Sequence, residues 1–240
     1  MRLAVLSDIH ANLAALDAVC EDLPAVDEIW VLGDIVGYGP QPNEVIRRLQ
    51  ELGARSVAGN HDGAALGTVD ANWFNPDAAA AIRWTSTVLD ENSNAYLAAL
   101  PQVRTEGELT AVHGSPREPV WEYINDASVA AANLEAFTTR HCLYGHTHLP
   151  VIYRADASRM TVVPATTADA IALDTRRMLI NPGSVGQPRD GNPDASYLLL
   201  DVDTGRAEFH RVRYDIALTQ RLMREARLPV WLIERLPMGR

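Results

Sequence analysis

The N-terminal part of the chain alternates short apolar runs with amphipathic stretches. Continuous apolar runs of four to eight residues are typical of strands buried on both faces, whereas apolar residues three or four positions apart are typical of helices. The order strand, helix, strand, helix, strand falls on residues 2–7 ("RLAVLS"), 12–23 ("NLAALDAVCEDL"), 28–34 ("EIWVLGD"), 42–53 ("PNEVIRRLQELG") and 54–60 ("ARSVAGN"). This alternation predicts a mostly parallel sheet covered by helices.

The pattern then changes to an Ala-rich helical stretch at residues 76–100, followed by strands at 109–114 ("LTAVHG") and 141–146 ("HCLYGH"). Beyond residue 150, short alternating runs are separated by turn signals such as "DTGR", and a helical pattern returns at 215–227. The strands predicted there are 151–155, 160–163, 170–173, 178–183, 196–202 and 207–214. We therefore expect a second, mixed or antiparallel sheet packed on the first, in one α/β domain covering residues 1–240.

Composition and charge narrow the classes of function. A chain of 240 residues with 47% hydrophobic residues can bury a sizeable core. No apolar segment approaches the roughly 20 residues that span a bilayer, so we expect a soluble, cytoplasmic protein without membrane contact. The net charge of −10, without a basic run, argues against binding of long nucleic acids but leaves a small anionic substrate possible at a local positive centre.

The two cysteines, Cys20 and Cys142, are far apart in sequence and form no CxxC pair. Thiol chemistry and a structural zinc site are therefore not expected, and each cysteine is predicted to be a small core residue.

Five predicted strands end in polar residues, and four of these ends contain a glycine. These ends are residues 7–10 ("SDIH"), 33–34 ("GD"), 59–62 ("GNHD"), 113–114 ("HG") and 145–148 ("GHTH"). A single Asp after a strand is most often a helix cap, and an isolated His is most often a surface or core residue. The carboxyl ends of parallel strands, however, meet at one edge of a sheet, where open α/β sheets bind ligands. We predict that this rim gathers Asp8, His10, Asp34, Asn60, His61, His113, His146 and His148.

Imidazole, carboxylate and amide groups form a ligand set that suits Mn, Fe, Zn, Ni or Co better than copper. The set is too large for one tetrahedral ion. Two ions roughly 3.5 to 4 Å apart, sharing a bridging carboxylate, would use all of these groups.

The five motifs, in this order, resemble the metal motifs of the calcineurin-like metallophosphoesterases. The stretches "GYGPQPNEV" and "NPGSVGQPRD" extend the resemblance to the small prokaryotic phosphoesterases of that superfamily. The resemblance implies a four-layer αββα sandwich of two mixed β-sheets flanked by helices. It also implies two divalent metal ions, of which we favour manganese, and hydrolysis of a phosphodiester or phosphomonoester by a metal-bridging hydroxide.

Carried over position by position, the resemblance places Asp8, His10 and His148 on one ion. It places Asn60, His113 and His146 on the other, with Asp34 as the bridge. His61 is the residue that would protonate the leaving oxygen or stabilise the transition state. Asp62 is the candidate to orient His61, and a cap of a helix or turn is the equal alternative for Asp62.

The substrate is less well defined by the sequence. Phosphoprotein phosphatases of this superfamily carry an Asp-Arg pair shortly after the "GD" motif, but this chain has Gly37 and Tyr38 there, which disfavours a phosphoprotein. Arg189, Arg117 and Tyr38 are the candidates for substrate binding, since a guanidinium can hold two phosphate oxygens and a tyrosine can flank a nucleobase. For Tyr38 an ordinary turn residue is the alternative, and for Arg189 and Arg117 the alternative is a surface salt bridge. The predicted loops 64–77 and 117–127 are expected to shape the pocket.

We therefore expect a phosphoesterase acting on a small phosphorylated substrate, with a nucleotide as one possibility. The alternative is a non-catalytic scaffold of the same fold that binds proteins. Such scaffolds lose metal ligands or the catalytic histidine, and this chain keeps all seven ligands and His61, which favours the enzyme. The physiological substrate, the native metal and the oligomeric state are not specified by the sequence.

Overall fold

The computed structural model describes residues 1–157, 159–165 and 170–240. Its strands, in chain order, are β1 Arg2–Leu6, β2 Glu28–Val31, β3 Arg55–Ser56, β4 Val103–Glu106, β5 Leu109–Val112, β6 His141–Leu143, β7 Val151–Asp156, β8 Arg159–Pro164, β9 Ile171–Ala172, β10 Met178–Asn181, β11 Ala195–Asp201 and β12 Arg206–Val212. Its α-helices are α1 Leu13–Asp22, α2 Pro42–Glu51, α3 Asn60–Ala65, α4 Pro76–Val88, α5 Glu91–Ala98, α6 Ala127–Ala132, α7 Ile216–Glu225 and α8 Val230–Glu234. Short 3₁₀ turns lie at Ala71–Trp73, Leu134–Ala136 and Leu236–Met238.

The strands form two six-stranded mixed sheets. The first has the order β3-β2-β1-β11-β12-β9, in which β1, β2 and β3 run parallel and the other pairs are antiparallel. The second has the order β4-β5-β6-β10-β7-β8, in which β5, β6 and β10 run parallel. The expected pair of mixed sheets is confirmed.

The membership of the sheets differs from the prediction. The strands that end in "HG" and "GHTH", β5 and β6, belong to the second sheet, and the late strands β11 and β12 belong to the first. The reason is that β1 pairs antiparallel with β11, with Val5 opposite Leu198, which leaves no edge of β1 free for the other parallel strands. The polar strand ends therefore come from two sheets rather than one.

Alternation of side chains along β1 shows how the layers are built. Ala4 and Leu6 pack with residues of α1 and α2 on the outer face, whereas Leu3 and Val5 face residues of the second sheet such as Ile180. This is the two-residue period of a strand that is buried on both sides. On the far face of the second sheet, a third cluster packs against α6. The result is the expected four-layer αββα arrangement, with one apolar cluster between the two sheets and one between each sheet and its helices.

Several local predictions needed correction. The helix predicted over residues 76–100 is two helices, because Leu89 is extended and the Asp90 side chain starts a new helix by accepting the Ser93 N–H at 2.7 Å. Strand β4 and the helices α3, α6 and α8 were not predicted. Cys142 is buried and Cys20 is half-buried, and both are free thiols, as expected. Among the described helices, none combines the length and apolar character needed to cross a bilayer.

Candidate metal site

The predicted site residues lie in tight turns that follow the strands, and their backbone is strained. In the described part of the chain, eight residues other than glycine have a positive φ. Five of them are predicted ligands, namely Asp8 (52°), His10 (50°), Asp34 (51°), His146 (67°) and His148 (59°). This conformation costs an L-residue about 1–2 kcal/mol. Strain of this kind concentrates at functional sites, where the surrounding structure holds it in place.

Gly145 lets the turn after β6 approach the turn after β1. A Cβ atom on Gly145 would overlap Ser7 Oγ and lie 2.8 Å from Asp8 Oδ2. The neighbouring His146 donates its backbone N–H to the same Asp8 Oδ2 at 3.1 Å. A side chain at position 145 would therefore separate motifs that belong to different sheets.

The predicted ligands form two buried groups that share one carboxylate. In each group, one possible ligand atom per residue lies within 4.8 Å of all the others. The first group is Asp8, His10, Asp34 and His148, and the second is Asp34, His113 and His146. Asp34 belongs to both groups, which is the arrangement expected of a bridging ligand.

In the first group, nitrogen and oxygen atoms face one another at short distances. His148 Nε2 lies 3.2 Å from Asp8 Oδ1 and 3.2 Å from His10 Nε2. His10 Nε2 lies 3.6 Å from Asp34 Oδ2. These atoms converge on one small volume.

The second group has the same character. His113 Nε2 lies 3.4 Å from Asp34 Oδ2 and 3.1 Å from His146 Nδ1. When His113 Nε2 carries no hydrogen, the amide oxygen of Asn60 faces acceptor atoms alone, because it lies 3.0 Å from that nitrogen and 3.2 Å from the Asp34 carboxylate. Lone pairs that point at one another repel, and a cation placed among them turns that repulsion into coordination. The residues present therefore fit a bound divalent ion.

Each of the four histidines predicted as ligands turns its other ring nitrogen toward a backbone carbonyl. The pairs are His10 Nδ1 with Val36 (3.2 Å), His113 Nδ1 with Leu32 (2.8 Å), His146 Nε2 with Trp121 (3.2 Å) and His148 Nδ1 with Gln187 (2.6 Å). A carbonyl oxygen can only accept, so the nitrogen beside it carries the hydrogen. The opposite nitrogen then presents its lone pair to the interior of the site. Outer-shell contacts of this type orient metal-binding histidines in proteins generally.

The charges within the site follow from burial. Burial lowers the pKa of His10 and of His148, and burial together with the charge of His113 lowers the pKa of His146 to about 3. These imidazoles are therefore neutral, the form in which histidine binds a metal.

His113 is the exception among the histidine ligands. Burial acts to lower its pKa, but the Asp34 carboxylate outweighs that effect and raises the value to about 9. Its proton thus lies where a divalent cation would bind, and a bound cation would displace it.

His61 lies beside both groups and differs from the ligands. It is 4% exposed, and its ring centroid lies 4.8 Å from that of His10 and 4.4 Å from that of Tyr38. Among the described residues, its buried Nδ1 has no hydrogen-bond partner, in contrast to the ligands with their carbonyl contacts. Burial lowers its pKa to about 4. The structure therefore places His61 next to the predicted ions with its ring free of the carbonyl contacts that orient a ligand.

Asp62 occupies the position of a helix cap. Its Oδ1 accepts the Val36 N–H at 3.0 Å and its Oδ2 accepts the Gly59 N–H at 2.9 Å, at the start of α3. Burial, followed by the nearby charge of Asp34, raises its pKa to about 7. Since these bonds go to the backbone, they match the cap alternative, and Asp62 positions the start of the helix that carries His61.

The three candidate substrate contacts have different surroundings. Arg189 donates to Gln187 Oε1 at 3.0 Å and to the Tyr38 hydroxyl at 3.4 Å, and the Tyr38 ring packs 4.5 Å from that of His10. Arg117 instead forms an ion pair with Glu122. Arg189 and Tyr38 are thus brought to the edge of the site, whereas Arg117 is already engaged by an acidic partner.

Besides Tyr38, four aromatic residues lie around the site that were not predicted as site residues, namely Trp73, Phe74, Trp121 and Tyr123. Tyr123 stacks on His146 with ring centroids 3.7 Å apart, and Phe74 meets His61 edge-on at 4.9 Å. Trp121 contacts both Phe74 and Trp73, and Trp73 is 69% exposed. Their signal was the pair of aromatic clusters "NWF" and "WEY" in the two loops predicted to shape the pocket. The four carbonyl groups that orient the histidines could not be predicted from the residue types, because they belong to the backbone.

Comparison with known proteins places this geometry in a family. A profile described as the calcineurin-like phosphoesterase superfamily domain matches residues 1–205. The crystal structure of a metallophosphoesterase from Sphaerobacter thermophilus is 47% identical, with a TM-score of 0.92, over 100% of this chain and 99% of that one. The uncharacterized protein MJ0912 of Methanocaldococcus jannaschii is 37% identical over an alignment 246 residues long, which covers 99% of this chain and 98% of the relative. Phosphodiesterase YfcE of Escherichia coli K12 is 28% identical over 216 residues, which cover 85% of this chain and 89% of the relative. The predicted resemblance is confirmed, and the chain belongs to the calcineurin-like phosphoesterase superfamily.

Proposed function

We propose that this chain is a phosphoesterase that depends on two divalent metal ions and hydrolyses phosphodiester or phosphomonoester bonds of small phosphorylated molecules. The observation that carries the proposal is the set of four histidines whose outer nitrogens are held by carbonyl groups. Their inner nitrogens converge, together with Asp8 and Asn60, on the shared carboxylate of Asp34. Such a buried, strained set of lone pairs has no evident role in folding alone.

In this proposal, one ion is held by Asp8, His10 and His148. The other is held by Asn60, His113 and His146, and Asp34 bridges the two. When bound, two divalent ions activate a water molecule as the nucleophile and neutralise the charge of the phosphoryl oxygens. The ligand set accepts Mn, Fe, Zn, Ni or Co, and manganese is the ion we favour.

His61 is proposed to act on the leaving group. Its ring lies beside the predicted ligands. A neutral imidazole donates one N–H, and a charged imidazole donates two. The charged form would protonate the leaving oxygen and become neutral, whereas the neutral form would stabilise that oxygen by a hydrogen bond. Arg189 is the proposed charged contact to the substrate, because its guanidinium lies at the edge of the site and points toward Tyr38.

The substrate class follows from the surroundings of the site and from the relatives. The name of YfcE supports activity on a phosphodiester. The sequence "GDIVGYG" lacks the Asp-Arg pair of the phosphoprotein phosphatases, and Tyr38, which stands at that place in the sequence, packs against His10 and His61. A small molecule is therefore favoured over a phosphoprotein.

The competing function is a non-catalytic scaffold of the same fold. A scaffold has no need of strained ligands or of a free imidazole beside them, so the presence of His61 together with all seven ligands favours the enzyme. An enzyme must leave the rim of the site open to substrate, whereas a scaffold need not.

The test is a metal-dependence assay. Protein stripped of metal and then loaded with Mn²⁺ should hydrolyse bis(4-nitrophenyl) phosphate or 4-nitrophenyl phosphate, and a chelator should abolish the activity. A panel of dinucleotides, cyclic nucleotides and sugar phosphates would then identify the preferred ester. Protein that binds two ions per chain but hydrolyses no member of this panel would contradict the enzyme and support the scaffold.

A further inference from the structure

Two arginines from distant parts of the chain meet beside the metal site. Arg189 follows β10, and Arg235 directly follows α8. Arg235 donates to Gln187 Oε1 at 2.6 Å, the same oxygen to which Arg189 donates at 3.0 Å. The Arg235 guanidinium also lies over the Tyr38 ring, 4.9 Å from its centroid, and that of Arg189 lies 5.9 Å from it. Sequence analysis had singled out Arg189 but not Arg235.

Among the described residues, neither arginine forms an ion pair with a carboxylate, although the more distant charge of Asp77 acts on Arg235. Their hydrogen-bond partners in the described part of the chain are the neutral groups of Gln187 and Tyr38. By contrast, Arg117 and Arg176 are paired with carboxylates, and the chain as a whole carries a net charge of −10. Burial, followed by the like charge of Arg189, lowers the pKa of Arg235. Two guanidinium groups held together against repulsion are a favourable place for an anion.

The arginine pair is continuous with the metal site. The Tyr38 ring contacts the Arg235 guanidinium and also packs against the rings of His10 and His61. Gln187 binds both arginines through its side chain, while its backbone carbonyl accepts the Nδ1–H of His148. An anion held by the pair would therefore belong to the same ligand that occupies the metal site.

We propose that Arg189 and Arg235 form a subsite for a second phosphate group of the substrate, next to the phosphate that is hydrolysed. The inference rests on the proposed function, and it narrows the substrate class to esters that carry a chain of at least two phosphates. Planar guanidinium groups suit this role, because each can hold two oxygens of one phosphate. The proposal also makes the C-terminal segment, which lies beyond the matched residues 1–205, a part of the substrate-binding surface.

Direct binding measurements test this subsite without requiring turnover. We would compare calorimetric titrations of Mn²⁺-loaded protein with inorganic tripolyphosphate and with orthophosphate. A fixed excess of free Mn²⁺ would keep chelation of the metal by the added phosphates the same for every variant. Arg235→Gln, which keeps a polar side chain but removes the charge, should weaken tripolyphosphate binding about tenfold more than it weakens orthophosphate binding. Arg189→Gln should act in the same direction, and Arg235→Lys should recover part of the loss.

Arg224→Gln is the matched control, since Arg224 is an exposed arginine of the same C-terminal segment. It should bind both anions as the wild type does. If Arg235→Gln weakens both anions equally, or lowers only the melting temperature, Arg235 merely docks the C-terminal segment and the subsite is wrong. A protein that hydrolyses nothing but still shows the selective loss would contradict the proposed function while supporting the subsite.

Discussion

The backbone N–H of His61 donates to Oδ1 of Asp34 at 2.9 Å. The other oxygen of that carboxylate, Oδ2, faces His10 at 3.6 Å and His113 at 3.4 Å. One carboxylate thus lies at the centre of the predicted metal site and also fixes the start of the helix that carries His61. The two functions of the site, binding metal and acting on the leaving group, can still be separated by substitution.

Asp34→Asn should remove metal more than it disturbs the fold. The amide keeps an oxygen for the His61 N–H but lacks the negative charge that both ions share. We expect the metal content to fall below two ions per chain, and hydrolysis to fall at least ~100-fold. Elemental analysis of the purified protein, beside an assay with bis(4-nitrophenyl) phosphate, would measure both. Asp203→Asn, at an exposed carboxylate, is the control, and retention of both ions in Asp34→Asn would show that Asp34 is not the bridge.

His61→Gln should keep the metal but lose activity, in contrast to Asp34→Asn. Because the ring of His61 lacks the carbonyl contact that each histidine ligand has, we expect metal content to stay at the wild-type level. The turnover number should fall about 10²- to 10⁴-fold, the usual contribution of a positioned acid or base. His210→Gln, at a histidine that stacks on Tyr197 in the first sheet, controls for the loss of any imidazole. Loss of metal with His61→Gln would make His61 a ligand and would overturn its assigned role.

The site was more predictable from sequence than the pairing of the strands. The predicted ligands could be picked out because they are polar residues at the ends of apolar runs, and a strand end has a definite place in a sheet. Which sheet each strand joins could not be recognised, since the pairing of Val5 with Leu198 joins segments nearly two hundred positions apart and leaves no local pattern. Apolar periodicity indicates that a strand is buried on both faces, but it does not indicate its neighbour.

The supporting groups of the site were hidden for a different reason. The carbonyls of Leu32 and Gln187 belong to the backbone, which every residue carries, so no residue type marks them. Arg235 was hidden by distance, because its approach to Tyr38 depends on how α7 and α8 pack against α4 and Tyr38. Sequence motifs therefore identify the atoms that would touch metal, whereas the atoms that orient or surround them emerge only from the fold.

Gly145→Ala should lower both stability and metal affinity. The new Cβ would overlap Ser7 Oγ, whose hydrogen bond to Asp8 Oδ2 measures 2.6 Å, and would press on the Asp8 carboxylate itself. Overpacking of this kind costs about 1–3 kcal/mol. Urea unfolding of the metal-free protein and a metal titration would separate the two effects.

Gly107→Ala is the matched control for this substitution. Gly107 has a φ of 54° with open space around its Cβ position, so the change adds backbone strain of about 1 kcal/mol without a collision. It should leave metal affinity unaltered. If Gly145→Ala also leaves metal affinity unaltered, the close approach of the two turns is not needed to assemble the ligands.

Metal binding should raise the free energy of unfolding. The predicted ligand atoms are preassembled in the folded chain, with five strained residues and facing lone pairs, so a metal ion would bind the folded state and relieve the repulsion there. A ligand that binds only the folded state adds about 2.7 kcal/mol to the free energy of unfolding when its concentration is 100 times its dissociation constant. The melting temperature should therefore rise with Mn²⁺ concentration and fall when a chelator is added, as differential scanning calorimetry would record. Asp203→Asn should respond as the wild type does and Asp34→Asn much less, whereas an equal response in both variants would mean that the stabilising ions bind outside the predicted site.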